Sequence, residues 1–185
     1  MCELTKLARE RIVTTLHFLS FLGTHFALIP LVAPWAKITG DDGRIFADDG
    51  DCETIDGQML FMFRGTCDVD VYSTSDKKKI SLQSFTSLTF LCSAALYIST
   101  WYMTALLGYI NNKKLVKYTT LARLNIVLSF LVFAWSMVSL TLWFDLVKTV
   151  AWAEGFFVGA IFELLAGVNA FVIMILHIIA TTGYR

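Results

Sequence analysis

LNIVLSFLVFAWSMVSLTLWF, residues 124–144, contains no Asp, Glu, Lys or Arg in 21 positions. A helix of that length spans about 30 Å, the thickness of a bilayer's hydrocarbon core. Three further runs of the same kind occupy residues 12–36, 84–110 and 155–180. Glu163 is the one Asp, Glu, Lys or Arg inside any of the four. The chain has 185 residues, 56% of them hydrophobic, which is more apolar surface than a soluble core of this size can hide. Lipid is the solvent that accepts it. The fold class read from the sequence is an all-α membrane protein, a four-helix transmembrane bundle.

The segments follow in order: an inner N-terminus 1–11, a first span 12–36, an outer loop 37–83, a second span 84–110 and an inner loop 111–123. A third span 124–144, a short outer loop 145–154, a fourth span 155–180 and an inner C-terminus 181–185 complete the chain. The first run is longer than the roughly 7–15 residues of a signal-peptide core, so it is read as an uncleaved helix. Pro34 and Trp35 are read as its exit into the headgroup zone, and Trp35, Trp143 and Trp152 as an outer aromatic belt. Sidedness rests on charge. The loop 111–123 carries Lys113, Lys114, Lys117 and Arg123 and no acid, whereas 37–83 carries ten acids against six bases. Basic loops stay inside, which places both termini there, although Lys77, Lys78 and Lys79 precede the second span on the other side.

Net charge is zero and 16% of residues are charged, so there is no basic surface of the kind that neutralises phosphates, and nucleic acid is set aside as a partner. Cys52 and Cys67 are the two cysteines of the long outer loop. An even pair in a polar segment on the oxidising side reads as a disulfide, which in the chain-entropy model stabilises a loop of this size by about 3 kcal/mol. Two free thiols or two metal ligands are the other readings. Alternation of Val69 and Val71 with Asp68 and Asp70 predicts a strand near 67–72, and a second is expected near 59–64. Together they would make a small, disulfide-pinned β-layer.

Within the fourth span, Gly155, Gly159 and Gly167 share a row with Glu163, since residues four apart drift only about 40° around a helix. Such a strip lets another helix approach closely, inside the bundle or on a second copy. Glu163 must face the interior, because a carboxylate in hydrocarbon needs a donor or a proton. It is read either as a structural hydrogen-bonding group or as part of a proton or cation pathway. Asn125 and Asn169 are further buried polar groups. His17 and His177 lie at similar depths near the inner helix ends, and two such imidazoles could ligate a b-type haem; structural hydrogen bonding is the plainer reading, and no metal or cofactor is expected. No phosphate loop, dinucleotide fingerprint, zinc-protease or serine-hydrolase motif occurs, so no enzyme is expected.

The layout resembles the claudin-like four-span group and, within it, the amastin family of surface proteins. Leu124-Asn125-Ile126-Val127 with Trp135, and Gly155-Phe156 with Asn169, carry the likeness in the C-terminal half, and Cys52 and Cys67 correspond in position in the loop. The resemblance implies a non-enzymatic role in membrane organisation or surface interaction at a plasma or surface membrane. The lipid bilayer and other membrane chains, or self-association through helix faces, are the implied partners. A different class fits the same layout: an accessory transmembrane subunit of a large assembly, such as a respiratory or ATP-synthase complex of the mitochondrial inner membrane.

Overall fold

The computed structural model describes residues 6–38, 59–61, 73–107, 112–149, 153–154 and 158–182. Four helices dominate: α1 Lys6–Val32, α2 Ser73–Leu107, α3 Asn112–Thr149 and α4 Val158–Thr182. Each contains a stretch long and apolar enough to cross a membrane, namely Arg11–Val32, Ile80–Ala105, Thr119–Asp145 and Val158–Thr181. Every backbone N–H and C=O inside hydrocarbon needs a partner within the chain, and a helix supplies it along its whole length. The helices pack as a ring, α1 against α2 and α4, and α3 against α2 and α4.

The helices also run past their apolar segments. Helix α2 begins at Ser73 and α3 at Asn112, eleven and twelve residues before the apolar runs that start at Ser84 and Leu124. Apolar runs mark where lipid is. Helix growth, once nucleated, adds a hydrogen bond per residue and continues through Lys-, Leu- and Ser-containing sequence with no need of a membrane.

At one end of the bundle three short strands pair. Strand β1, Pro34–Ile38, is central, with β2, Met59–Phe61, and β3, Ala153–Glu154, antiparallel on either side. Lys37 pairs with Met59 on one flank and Glu154 on the other. This cap sheet joins the C-terminal exit of α1, the long loop and the connection that leads into α4. The expected strand at 67–72, Cys52, Cys67, Gly155 and Trp152 lie outside the described residues.

The first span ends sooner than the sequence reading placed it, at Val32 and not Ala36. Pro34 explains the break: it has no N–H to give Pro30 O, and it pushes the preceding residue out of the helical region. Trp35 supplies the missing donor, its Nε1–H bonding Pro30 O at 2.7 Å. The indole thus caps an orphan carbonyl at the helix end. Trp35 is 0% exposed and packs edge-on against buried Trp143, ring centroids 5.5 Å apart. Neither ring is on the lipid-facing surface. The belt assignment is therefore corrected for these two, which are core residues under the cap.

Gly159 makes room for that packing. A Cβ there would lie 2.5 Å from Trp35 Cδ1 and 2.6 Å from Nε1, and Trp35 is held from behind by Pro30 and Trp143. Gly159→Val is expected to lower stability by about 1–3 kcal/mol through overpacking, read as a reduced thermal midpoint in detergent. Leu165→Ala, on the exposed side of the same helix, should change it by less than about 0.5 kcal/mol.

Candidate functional site

The outer surface of the bundle is largely apolar, and its interior mixes apolar and polar groups. Phe18, Leu91, Ile98, Trp101, Phe130 and Val168 are exposed, the surface that lipid wets. Inside lie Ser20, Thr86, Thr89, Ser93, Thr100, Asn125, Ser129, Ser136, Ser139, Glu163, Asn169 and His177. Many of the hydroxyls are spent on their own helix: Ser20 donates to Leu16 O at 2.8 Å and Thr86 to Leu82 O at 2.9 Å. That local bond satisfies the side chain without a partner helix. The groups that reach across helices define the candidate site: Thr24 of α1, Asn125 and Ser136 of α3 and Asn169 of α4, together with the buried Glu163 of α4.

Nearest the cap, Glu163 is 0% exposed and faces Thr89 of α2 and Ser139 of α3. The hydroxyls of Thr89 and Ser139 are its hydrogen-bonding neighbours, though neither makes a close, well-aligned bond to Oε1 or Oε2. Ser136 of α3 donates its hydroxyl to the backbone carbonyl of Glu163. One turn further along α4, a Cβ on Gly167 would lie 2.6 Å from Ser136 Oγ. Gly167 therefore allows α3 its close approach, as a small-residue strip implies. Gly159 serves Trp35 instead, so the two glycines of the row have different neighbours.

At mid-bundle, Asn169 donates its Nδ2 to Leu19 O of α1 at 2.9 Å. Gly23 is the complement, because a Cβ there would sit 2.5 Å from that same Nδ2. Thr24 adds a second stitch, its Oγ1 lying 2.9 Å from Ser20 O and 3.1 Å from Ser93 O of α2. Below this level Leu16, Leu96 and Ile173 form a buried apolar layer, flanked by Leu19, Leu128 and Leu176.

Beyond that layer Asn125 donates Nδ2 to Met103 Sδ at 3.0 Å and keeps its Oδ1 unpartnered. His177 is 0% exposed with both ring nitrogens unpartnered. His17 is half-buried and stacks on Tyr97 of α2 at 5.3 Å. Among the described residues there is no cluster of three or more His, Cys, Asp or Glu able to hold a metal ion.

Glu163 and His177 are fourteen residues apart on α4, about 21 Å by helical rise, with the apolar layer between them. They cannot act as an acid–base pair. The sequence picked out Glu163, Asn125, Asn169, Gly159 and Gly167; it missed Gly23, Thr89, Ser136 and Ser139. A weak signal existed, since Thr86, Thr89 and Ser93 recur at helical spacing, as do Ser129, Ser136 and Ser139.

No family model matches the chain, and no curated protein or solved structure matches it either.

Asn169→Ala removes a side chain that bonds α4 to the backbone of α1. The expected loss is about 1 kcal/mol, typical of an interhelical hydrogen bond in a membrane, measured as a lowered midpoint of unfolding in detergent.

Proposed function

We propose that this chain is a non-enzymatic four-pass membrane protein of amastin- or claudin-like type. It organises a plasma or surface membrane through its capped end and its helix faces. The observation that supports this reading is the division of polar groups. Several interior hydroxyls bond back to their own helices, and the exterior of the described spans is largely apolar. Polar chemistry that water can reach belongs to the end carrying β1, β2 and β3, where the sequence also places Cys52, Cys67 and ten acids between residues 37 and 83. In this reading a Cys52–Cys67 disulfide closes that loop into a recognition surface. The resemblance that names the family is carried by the C-terminal half. No Trp lies between Trp35 and Trp101, where the family places one beside its cysteines.

A second reading has its own support. Phe18, Trp101, Phe130 and Phe171 stand on the lipid-facing exterior, and bulky rings there suit neighbouring helices as well as acyl chains. That is the surface of an accessory subunit filling space in a large assembly, such as a respiratory or ATP-synthase complex.

Native electrophoresis after mild detergent extraction separates the two. The surface-protein reading expects a small species composed of this chain and lipid; co-migration with a stable complex of many different chains would replace it with the subunit reading. The disulfide has its own measurement. Cys52→Ser and Cys67→Ser should each abolish the same mobility difference between reduced and non-reduced protein, and should lower thermal stability by about 2–4 kcal/mol.

A further inference from the structure

Gly159 and Gly167 of α4 are already occupied inside the bundle, the first by Trp35 and the second by Ser136 of α3. A contact between copies must use another face, and α1 has one. Phe18, Phe21, His25, Leu28 and Val32 are exposed and follow one another at intervals of three, four, three and four. That is the spacing of a heptad seam, a narrow stripe along which two helices cross at about 20°. Exposed apolar residues at such intervals are no more than lipid requires. The histidine among them is different.

His25 lies seven residues before Val32, about 10 Å inside the end of its span by helical rise, and further still from Arg11 at the other end. Every other exposed polar side chain of the described spans lies within four residues of an end. Ser84 and Thr141, exposed near such ends, bond their hydroxyls back to Ile80 O and Met137 O. His25 Nδ1–H donates to Phe21 O at 2.8 Å, the histidine's one hydrogen bond among the described residues. Phe21 also packs on the imidazole, ring centroids 4.2 Å apart. The ring is thereby held with Nε2 turned away from its own helix, an acceptor that hydrocarbon cannot satisfy.

Another imidazole satisfies it. A neutral imidazole carries one donor and one acceptor, so one ring keeps Nδ1–H on Phe21 O and accepts at Nε2, while a second ring takes the other tautomer and donates Nε2–H. The second ring gives up only its bond to its own Phe21 O, which the backbone N–H of His25 already serves within the helix. Depth identifies the partner. A second copy in the same membrane brings its His25 to the same level, and a two-fold axis sets the same stripe against itself.

We propose that two copies of this chain pair in parallel through α1, with an Nε2–H···Nε2 hydrogen bond between the two His25 rings at the centre of a seam made by Phe18, Phe21, Leu28 and Val32. This builds on the membrane-organising reading by naming the helix face that acts, and the two fail separately. A chain that pairs through α1 yet migrates with a complex of many other chains keeps the seam and loses that reading; a small species lacking the cross-links below does the reverse.

Photo-cross-linking tests the seam. In the full chain, benzoylphenylalanine replaces Phe18, Phe21 or Leu28, or Val168 on the exposed side of α4 as a control. Each protein is reconstituted in phosphatidylcholine vesicles with a copy bearing a tag of different size, then irradiated. We expect products joining two copies from the three α1 positions, with the joined peptide in α1 by mass spectrometry, and none from Val168. Energy transfer between fluorophore-labelled copies should fall as lipid dilutes the protein. His25→Leu should raise the protein-to-lipid ratio needed for half-association by about fivefold to tenfold. His25→Asn, whose amide again offers a donor and an acceptor, should restore most of it. Adducts to lipid alone from the α1 positions, cross-links centred on Val168, or His25→Leu associating as the wild type does would each overturn the proposal. If His25→Leu fails to fold, the cross-link map obtained with His25 intact decides alone.

Discussion

Hydrocarbon offers no hydrogen bonds, and every level of this structure answers to that. It makes the four apolar runs helical, since an unpaired peptide group in lipid costs several kcal/mol. It also decides what happens where a helix has to end. Pro34 removes the N–H that would have bonded Pro30 O, and the carbonyl is rescued by the Trp35 indole. That single bond draws Trp35 under the cap, against Trp143 and over Gly159. The aromatic pair, the glycine and the start of the cap sheet follow from one missing proton on a proline nitrogen.

The same constraint sorts the interior. Hydroxyls are tolerated because Ser and Thr can return their proton to the carbonyl one turn back, as Ser20, Thr86 and Thr89 do. Amides are tolerated where a neighbouring backbone or sulfur accepts them, as with Asn169 to Leu19 O and Asn125 to Met103 Sδ. Glu163, His177, Ser129 and Ser139 are fully buried with side-chain atoms that make no close, well-aligned hydrogen bond. A well-packed protein rarely leaves such groups unsatisfied without a use for them.

Much of this was legible in the sequence. Four spans, an inward-facing Glu163 and buried Asn125 and Asn169 follow from length and polarity, because a polar side chain within an apolar run has nowhere else to go. Helix lengths were not legible, since the apolar signal stops at the lipid boundary while α2 and α3 continue in polar sequence. Trp35 was misplaced for a related reason. A tryptophan after a span is usually an interfacial anchor, and only the three-dimensional position of Pro30 O shows why this one turns inward. Gly23 escaped notice because its significance depends on Asn169, 146 positions away in sequence but adjacent in space.

The order of layers along the axis gives the bundle a direction. Glu163 stands on the cap side of the apolar layer formed by Leu16, Leu96 and Ile173, whereas His177 and Asn125 stand on the other. Away from the cap, Glu163 is followed by the polar level of Asn169, Thr24 and Ser93 and then by the aliphatic layer. Toward the cap it meets Trp35 and Trp143, held by one hydrogen bond and by ring packing. The buried carboxyl is therefore set between that aromatic pair and the aliphatic layer, with α2 and α3 presenting Thr89 and Ser139 to it.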